Sequence, residues 1–274
     1  MTKKFYKNEK FQAWFFPILY FLLAVSIVIT GCFIFKKKYY QPIVVNQHSM
    51  WPTLTGGGTV SEGGTTYHLR NYYGLADVSK GSVYSLHRFD VVVTYYPQGW
   101  GGTNDYKIKR VWGFPGETIQ MTYDSETHVY TFTAQKMGSP KYVLTSTQKE
   151  YEQSFEAYYY EDGQTMFVNK TLKYTVNEFV LSNKTFRTSH HVPGGDTSVT
   201  RVFHKALAND EYFVMGDNWQ GSTDSSSPGI ISSPYRLTAN ELQGRVVSLN
   251  AYVTFNSGTS ENTDMHEFAP RYEF

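Results

Sequence analysis

Three clusters of residues have types and spacing suited to chemistry. The first is Gln47-His48-Ser49-Met50-Trp51-Pro52-Thr53-Leu54. A serine that follows an apolar strand, with a proline fixing the chain three residues later, presents its hydroxyl from a rigid turn. A plain surface turn has the same composition. A serine nucleophile also needs a base and an oxyanion site. His48 is adjacent, so in an extended chain it points to the opposite face and does not serve as the base.

The second cluster is Tyr106-Lys107-Ile108-Lys109-Arg110-Val111-Trp112-Gly113-Phe114. At a strand period of two, Lys109 shares a face with Val111, and Ile108 shares the other with Arg110. A lysine among β-branched neighbours is desolvated, which disfavours the ammonium. Reaching the neutral amine near pH 7 from a reference value of about 10.4 costs roughly 4 kcal/mol. An exposed Lys-Arg pair on an edge strand is the competing reading. The third cluster, Gly216-Asp217-Asn218-Trp219-Gln220-Gly221-Ser222-Thr223-Asp224-Ser225-Ser226, is dense in residues that hydrogen-bond their own backbone and reads equally as a structural loop. It is not a calcium loop, because Trp219 interrupts the alternation of Asp/Asn ligands.

These clusters need a scaffold, and the pattern is mainly β. Asp90–Tyr96 is a compact β-branched run and Tyr106–Phe114 its successor, ended by Pro115-Gly116. Residues 118–133 alternate as a hairpin does. Residues 134–205 are rich in Tyr and Thr, have no sustained helical period, and read as an inserted β region. Tyr212–Met215 and Arg245–Phe255 are further strands. The half-glycine stretch 55–64 reads as a mobile loop, and 67–86 gives no assignment. Thr238–Gln243 suggests a short helix, with Thr238 and Glu241 spaced as a capping box.

Ahead of this lies Trp14–Phe35, 22 residues without a charge. As a helix it is about 33 Å long, enough to cross a bilayer core. Lys3, Lys4, Lys7 and Lys10 precede it and Lys36, Lys37 and Lys38 follow, a balance leaning toward an inside N-terminus. A cleaved signal would have a shorter apolar run and a small-residue cleavage site. Ile29-Thr30-Gly31-Cys32 resembles a lipobox, but Phe33-Ile34-Phe35 continues the apolar run past the cysteine, which favours an uncleaved anchor. The expected organisation is an N-terminal tail over 1–13, a membrane helix over 14–35 and a globular domain over 36–274, with 120–205 as an inserted subdomain.

Composition agrees. The 274 residues carry 25 Lys+Arg against 24 Asp+Glu, which argues against nucleic-acid binding by bulk charge. Aromatics reach 17 % and charged residues only 18 %, so the chain can bury a large apolar core. The single Cys32 excludes an intramolecular disulfide and a cysteine-built metal site.

Together, S-M-W-P-T-L, D-V-V-V, K-R-V-W-G-F-P-G-E and G-D-N-W-Q-G-S-T-D-S-S, in that order behind one anchor, resemble the bacterial type I signal peptidases, membrane-bound serine proteases with a Ser/Lys dyad. The resemblance implies an antiparallel β catalytic domain needing no cofactor or metal, with Ser49 as nucleophile and Lys109 as general base. Ser222 would orient the Lys109 amine, and Asp217, Asn218 and Asp224 would support it, with Arg110 as partner of Asp217. The Ser49 N–H would be one oxyanion donor, and Met50 and Pro52 would shape the turn. Gln47 stands where the family often has Ser or Gly assisting that site. Trp219 and Ser226 stand where it usually has arginines, so Asp224 is expected to lack its partner. The implied partners are exported preproteins with small residues at −1 and −3, the lipid bilayer and nearby secretion machinery, with an extracytoplasmic active site. Ser49 lies 14 residues past Phe35, within about 46 Å of the membrane face even when fully extended. Three alternatives stand beside this: a specialised or inactive relative acting on pilins or other surface proteins, another Ser/Lys protease such as the self-cleaving repressors, and a non-enzymatic membrane-anchored surface β protein.

Overall fold

The computed structural model describes residues 9–96, 105–182, 184–191, 199–204, 206–226, 237–256 and 261–271. Lys3, Lys4 and Lys7 lie outside the described residues. The chain divides into two units, Met1–Gln41 and Pro42–Phe274.

The first unit is helix α1 (Glu9–Tyr39). Its Gln12–Tyr39 stretch has a mean hydropathy of 2.6 and is long and apolar enough to cross a membrane. Apolar side chains surround the whole circumference, as in a helix facing hydrocarbon rather than a core on one side. Pro17 falls within it, and Lys36, Lys37 and Lys38 occupy its last turn, where cations meet the negative end of the helix dipole.

Strand β1 (Tyr40–Val44) starts two residues before the second unit, which continues with β2 (Thr59–Glu62), β3 (Thr65–Leu69), β4 (Asn71–Asp77), the short α2 (Lys80–Tyr84) and β5 (Val91–Tyr96). There follow β6 (Asp105–Gly113), β7 (Glu117–Asp124), β8 (Val129–Lys136), β9 (Tyr142–Glu161), β10 (Gln164–Val180) and β11 (Thr185–Ser189). The chain continues through β12 (Val199–His204), β13 (Glu211–Met215), β14 (Leu237–Thr238), β15 (Leu242–Asn256) and β16 (Glu261–Arg271). Strands β1-β4-β15-β5-β6-β13-β14 form one sheet in that order, with β16 beside β15. The other runs β11-β10-β9-β8-β7-β12, with β3 on β9 and β2 on β3. The fold is thus mainly antiparallel β, preceded in sequence by the one long apolar helix among the described residues.

Several local expectations change. Residues 55–64 are not a mobile loop: Gly63 and Gly64 form the two-residue turn of the β2–β3 hairpin, both at positive φ, and Glu62 pairs with Thr65. The unassigned stretch 67–86 holds β4 and α2, which Ser79 caps by accepting from the Ser82 N–H. Thr238–Gln243 is a turn, not a helix. Glu241 Oε2 still accepts from Thr238 N (2.6 Å) and Oγ1 (2.7 Å), but β14 and β15 claim the flanking residues. The region 134–205 is dominated by the β9–β10 hairpin, turned at Asp162-Gly163 with both residues at positive φ.

The aromatic residues explain the core. Phe89, Trp112, Phe132, Phe179, Phe186 and Phe213 are fully buried in one cluster. A second cluster gathers Val45, Met50, Leu54, Tyr72 and Val91, and a third Val92, Tyr96, Val111, Val214 and Leu242. Strand β6 contributes to the first through Trp112 and to the third through Val111, while Ile108 packs on the second. β5 pairs with residues 105–110 of this strand, and β13 takes over on the other side at Arg110, Val111 and Gly113. Lys109 and Arg110 are 1 % and 0 % exposed, so the exposed Lys-Arg reading fails.

Candidate active site

The turn carrying Ser49 is built from its own backbone and clamped from outside. Val45 N–H donates to the Tyr72 carbonyl and the Val45 carbonyl accepts from Asn71 Nδ2 (2.7 Å), anchoring the strand end on β4. Gln47 adopts φ 80° and its N–H donates to the Gly56 carbonyl, so the chain doubles back on itself there. At Gly56 a Cβ would lie 1.8 Å from the Gln47 oxygen, so only glycine permits this approach. Trp51 N–H donates to the His48 carbonyl and Leu54 N–H to that of Met50. Met50, Pro52 and Leu54 are buried, the Trp51–Pro52 bond is cis, and Ser49 is half-buried. His48 is exposed with its imidazole against Gly58.

The loop after β13 holds this turn from the other side. Ser225 closes its base, donating N–H to the Val214 carbonyl and accepting the Val214 N–H at Oγ (3.1 Å). Asn218 makes the connection. Its N–H donates to the Ser49 carbonyl (3.0 Å), and its Nδ2 to the His48 carbonyl (3.0 Å). Its Oδ1 accepts from Gly221 N–H (3.2 Å) and the Ser189 hydroxyl (3.3 Å). Gly216 lies between the two motifs: a Cβ on it would sit 2.2 Å from the Ser49 carbonyl oxygen and 2.3 Å from Ser222 Oγ. Those two oxygens are therefore within about 4.5 Å of each other.

Lys109 Nζ reaches this point from β6 and donates to Ser222 Oγ at 3.1 Å. Burial lowers its pKa from the ordinary 10.5 to about 8; the Asp224 carboxylate pulls it back up, the Lys107 charge lowers it, and Asp217 raises it. At about 1.36 kcal/mol per pH unit, the folded state favours the neutral amine by about 3 kcal/mol relative to a solvated lysine.

Arg110 and Asp217 form a fully buried pair behind the site. The guanidinium donates through Nε to Oδ1 (2.8 Å) and through Nη2 to Oδ2 (2.6 Å), with Nη1 on the Phe89 carbonyl (2.8 Å). Thr53 Oγ1 lies 2.5 Å from Asp217 Oδ2, tying the Ser49 turn to this pair. Asp224 does not lack partners as expected. It accepts Gly216 N–H (2.7 Å), Ser226 N–H (3.0 Å) and the Ser226 hydroxyl (2.6 Å), so the serine itself fills the place assigned to an arginine. Trp219, at the other such place, packs its ring 4.9 Å from that of Tyr130 and 6.0 Å from Trp112 in the aromatic core.

This constellation lies inside a match to a family model described as signal peptidase, peptidase S26, over residues 16–247. The chain belongs to that family. It is also similar to Signal peptidase I of Buchnera aphidicola subsp. Schizaphis graminum (strain Sg), at 24 % identity over 212 residues covering 73 % of this chain and 66 % of that relative. The chain thus spans just under two thirds of that relative's length. In this peptidase S26 member all ten sequence-selected residues are described. Ser49, Lys109, Ser222 and Asn218 converge around Gly216, and Arg110, Asp217 and Asp224 stand behind them. Met50 and Pro52 form the turn's buried underside. Gln47 is exposed and joins through its backbone. Sequence reasoning missed Gly216 as a spacer, Thr53 and Ser189 as ties, and Lys107 as a second charge. Only Lys107 had a signal, its position two residues before Lys109.

Proposed function

We propose that the chain is a membrane-anchored serine endopeptidase that removes signal peptides from exported preproteins, with Ser49 as nucleophile and Lys109 as general base. The observation that carries this reading is the buried Lys109 amine, lowered to a pKa of about 8 by desolvation and hydrogen-bonded to Ser222 next to the Ser49 turn. A base working near neutral pH needs such a value, and an ordinary solvated lysine does not have it.

Ser49 Oγ attacks the scissile carbonyl carbon as neutral Lys109 takes its proton. Lys109 returns that proton to the leaving amine when the C–N bond breaks. A water molecule, deprotonated by Lys109, then hydrolyses the acyl-enzyme and frees Ser49. The Ser49 N–H donates to the developing oxyanion. Ser222 orients the amine, Asn218 fixes the Ser49 backbone, and the Arg110–Asp217 pair and Asp224 hold the loop. Residues 14–35 span the membrane with the tail at 1–13 cytoplasmic and 36–274 outside, the stretch 120–205 being an inserted subdomain. Substrates carry small residues at −1 and −3 and arrive from nearby secretion machinery.

Cleavage of a purified preprotein by wild type, Ser49→Ala and Lys109→Ala tests this. The expected result is processing by wild type and essentially none by either variant. Processing that survives in Lys109→Ala refutes the dyad.

A further inference from the structure

At the strand period of two, the β6 row that carries Lys109 also carries Lys107 and Asp105. Lys107 lines the same cleft as Ser49, Gln47 and Met50. Its ammonium stands 5.0 Å from the centre of the buried Tyr96 ring, a contact that holds the charge in place without neutralising it. No carboxylate forms an ion pair with Lys107 among the described residues. Its charge is felt at the reacting centre, since it acts on Lys109.

Among the described residues, the cleft edge of β6 has no partner strand where Lys107 lies. Strand β13 pairs only from Arg110 onward, so on that side residues 105–109 face no described strand. An extended peptide laid along such an edge advances about 3.3 Å per residue, as the strand does. With the reacting carbonyl beside Ser49 and Lys109, a substrate side chain within two residues of the cut therefore stands level with Lys107.

We propose that Lys107 is a specificity-determining residue that selects substrates carrying a carboxylate side chain within two residues of the cut bond. This rests on the Ser49/Lys109 reading and adds a charge preference to it. A cation held against a ring face beside the nucleophile attracts an anionic side chain and disfavours a cationic one.

The test uses the full chain in detergent and peptides with small residues at −1 and −3, carrying Gln, Glu or Lys at −2, +1 or +2 in turn. At one of these positions wild type should show a kcat/KM for Glu about fivefold above Gln, the size of one partly exposed charge pair. That ratio should fall to about one in Lys107→Met, persist in Lys107→Arg and drop below one in Lys107→Glu, which should prefer the Lys peptide. Both peptides meet the same enzyme, so any altered protonation of Lys109 cancels in the ratio. If Lys107→Met does not fold, the Arg and Glu variants decide the matter. A ratio of one at every position in wild type, or a ratio unchanged by Lys107→Met or Lys107→Glu, overturns the inference and leaves the dyad standing. Cleavage by Ser49→Ala at the wild-type rate overturns the dyad and the inference together.

Discussion

Lys109 should make the folded protein less stable than it would be without it. The folded state releases the Lys109 proton near pH 8 and the unfolded chain near 10.5. Below about pH 8 both states hold the proton, and the folded state carries the whole cost of a buried ammonium. Between the two values the unfolded state binds more protons, so unfolding free energy rises with pH across that window, by about 3 kcal/mol in all. Lys109→Met removes the charge and keeps much of the volume. At pH 7 it should be more stable than wild type by about 2 kcal/mol, after about 1 kcal/mol for the lost bond to Ser222. Near pH 10.5 the gain should disappear. Urea unfolding followed by the fluorescence of the buried Trp112 measures this at a series of pH values. The same value sets the activity. About one tenth of Lys109 is neutral at pH 7 and nine tenths at pH 9, so wild-type kcat/KM should rise about tenfold between them. A Lys109→Met protein less stable than wild type at pH 7 would refute the reasoning, because attraction to Asp224 would then outweigh desolvation and Lys109 would not be a neutral base.

Asn218→Ala removes the donor to the His48 carbonyl and the acceptor of the Ser189 hydroxyl. It should lower kcat about tenfold with KM within about twofold, one misplaced hydrogen-bonded turn rather than a lost substrate contact. Gly216→Ala brings a methyl to 2.2 Å from the Ser49 oxygen and 2.3 Å from Ser222 Oγ, so one of them must move. Activity should fall at least about a hundredfold while circular dichroism keeps the β signal. Arg110→Met strands the buried Asp217 carboxylate and should cost about 3–5 kcal/mol in denaturant unfolding, with Arg110→Met/Asp217→Leu recovering most of it.

What the sequence made legible followed from local rules. The membrane-length helix stands on an uninterrupted apolar run, and β5, β6 and the β7–β8 hairpin stand on alternation and on Pro115-Gly116. The β2–β3 hairpin was hidden because glycine pairs serve tight turns and mobile loops alike, and only pairing across Glu62 and Thr65 decides between them. The capping box at Thr238 and Glu241 formed its hydrogen bonds without a helix, since tertiary strand pairing outweighs a few tenths of a kcal/mol per residue of propensity. The burial of Lys109 was readable only as one of two options, because the loop after β13 whose Ser222 meets its amine lies about a hundred residues later.

The departure from the family pattern at Ser226 has an electrostatic consequence for Lys109. An arginine beside Asp224 would neutralise it, whereas the Ser226 hydroxyl and amide satisfy its hydrogen bonds and leave its charge intact. That charge holds Lys109 toward the ammonium, against the neutral form that the proposed mechanism needs. Two features oppose it: the dry surroundings supplied by packing, which dominate, and Lys107 on the same strand face. Trp219, on the same loop, instead places an aromatic ring on the core against Trp112 and Tyr130, where an arginine would carry charge. The chain thus lowers the pKa of its lysine by desolvation first and by a like charge second, and both levers sit on β6 or on what packs over it. Replacing Ser226 with Arg should then move the midpoint of the kcat/KM pH profile below that of wild type. A midpoint that rises instead would mean that Asp224 does not govern the charge of Lys109.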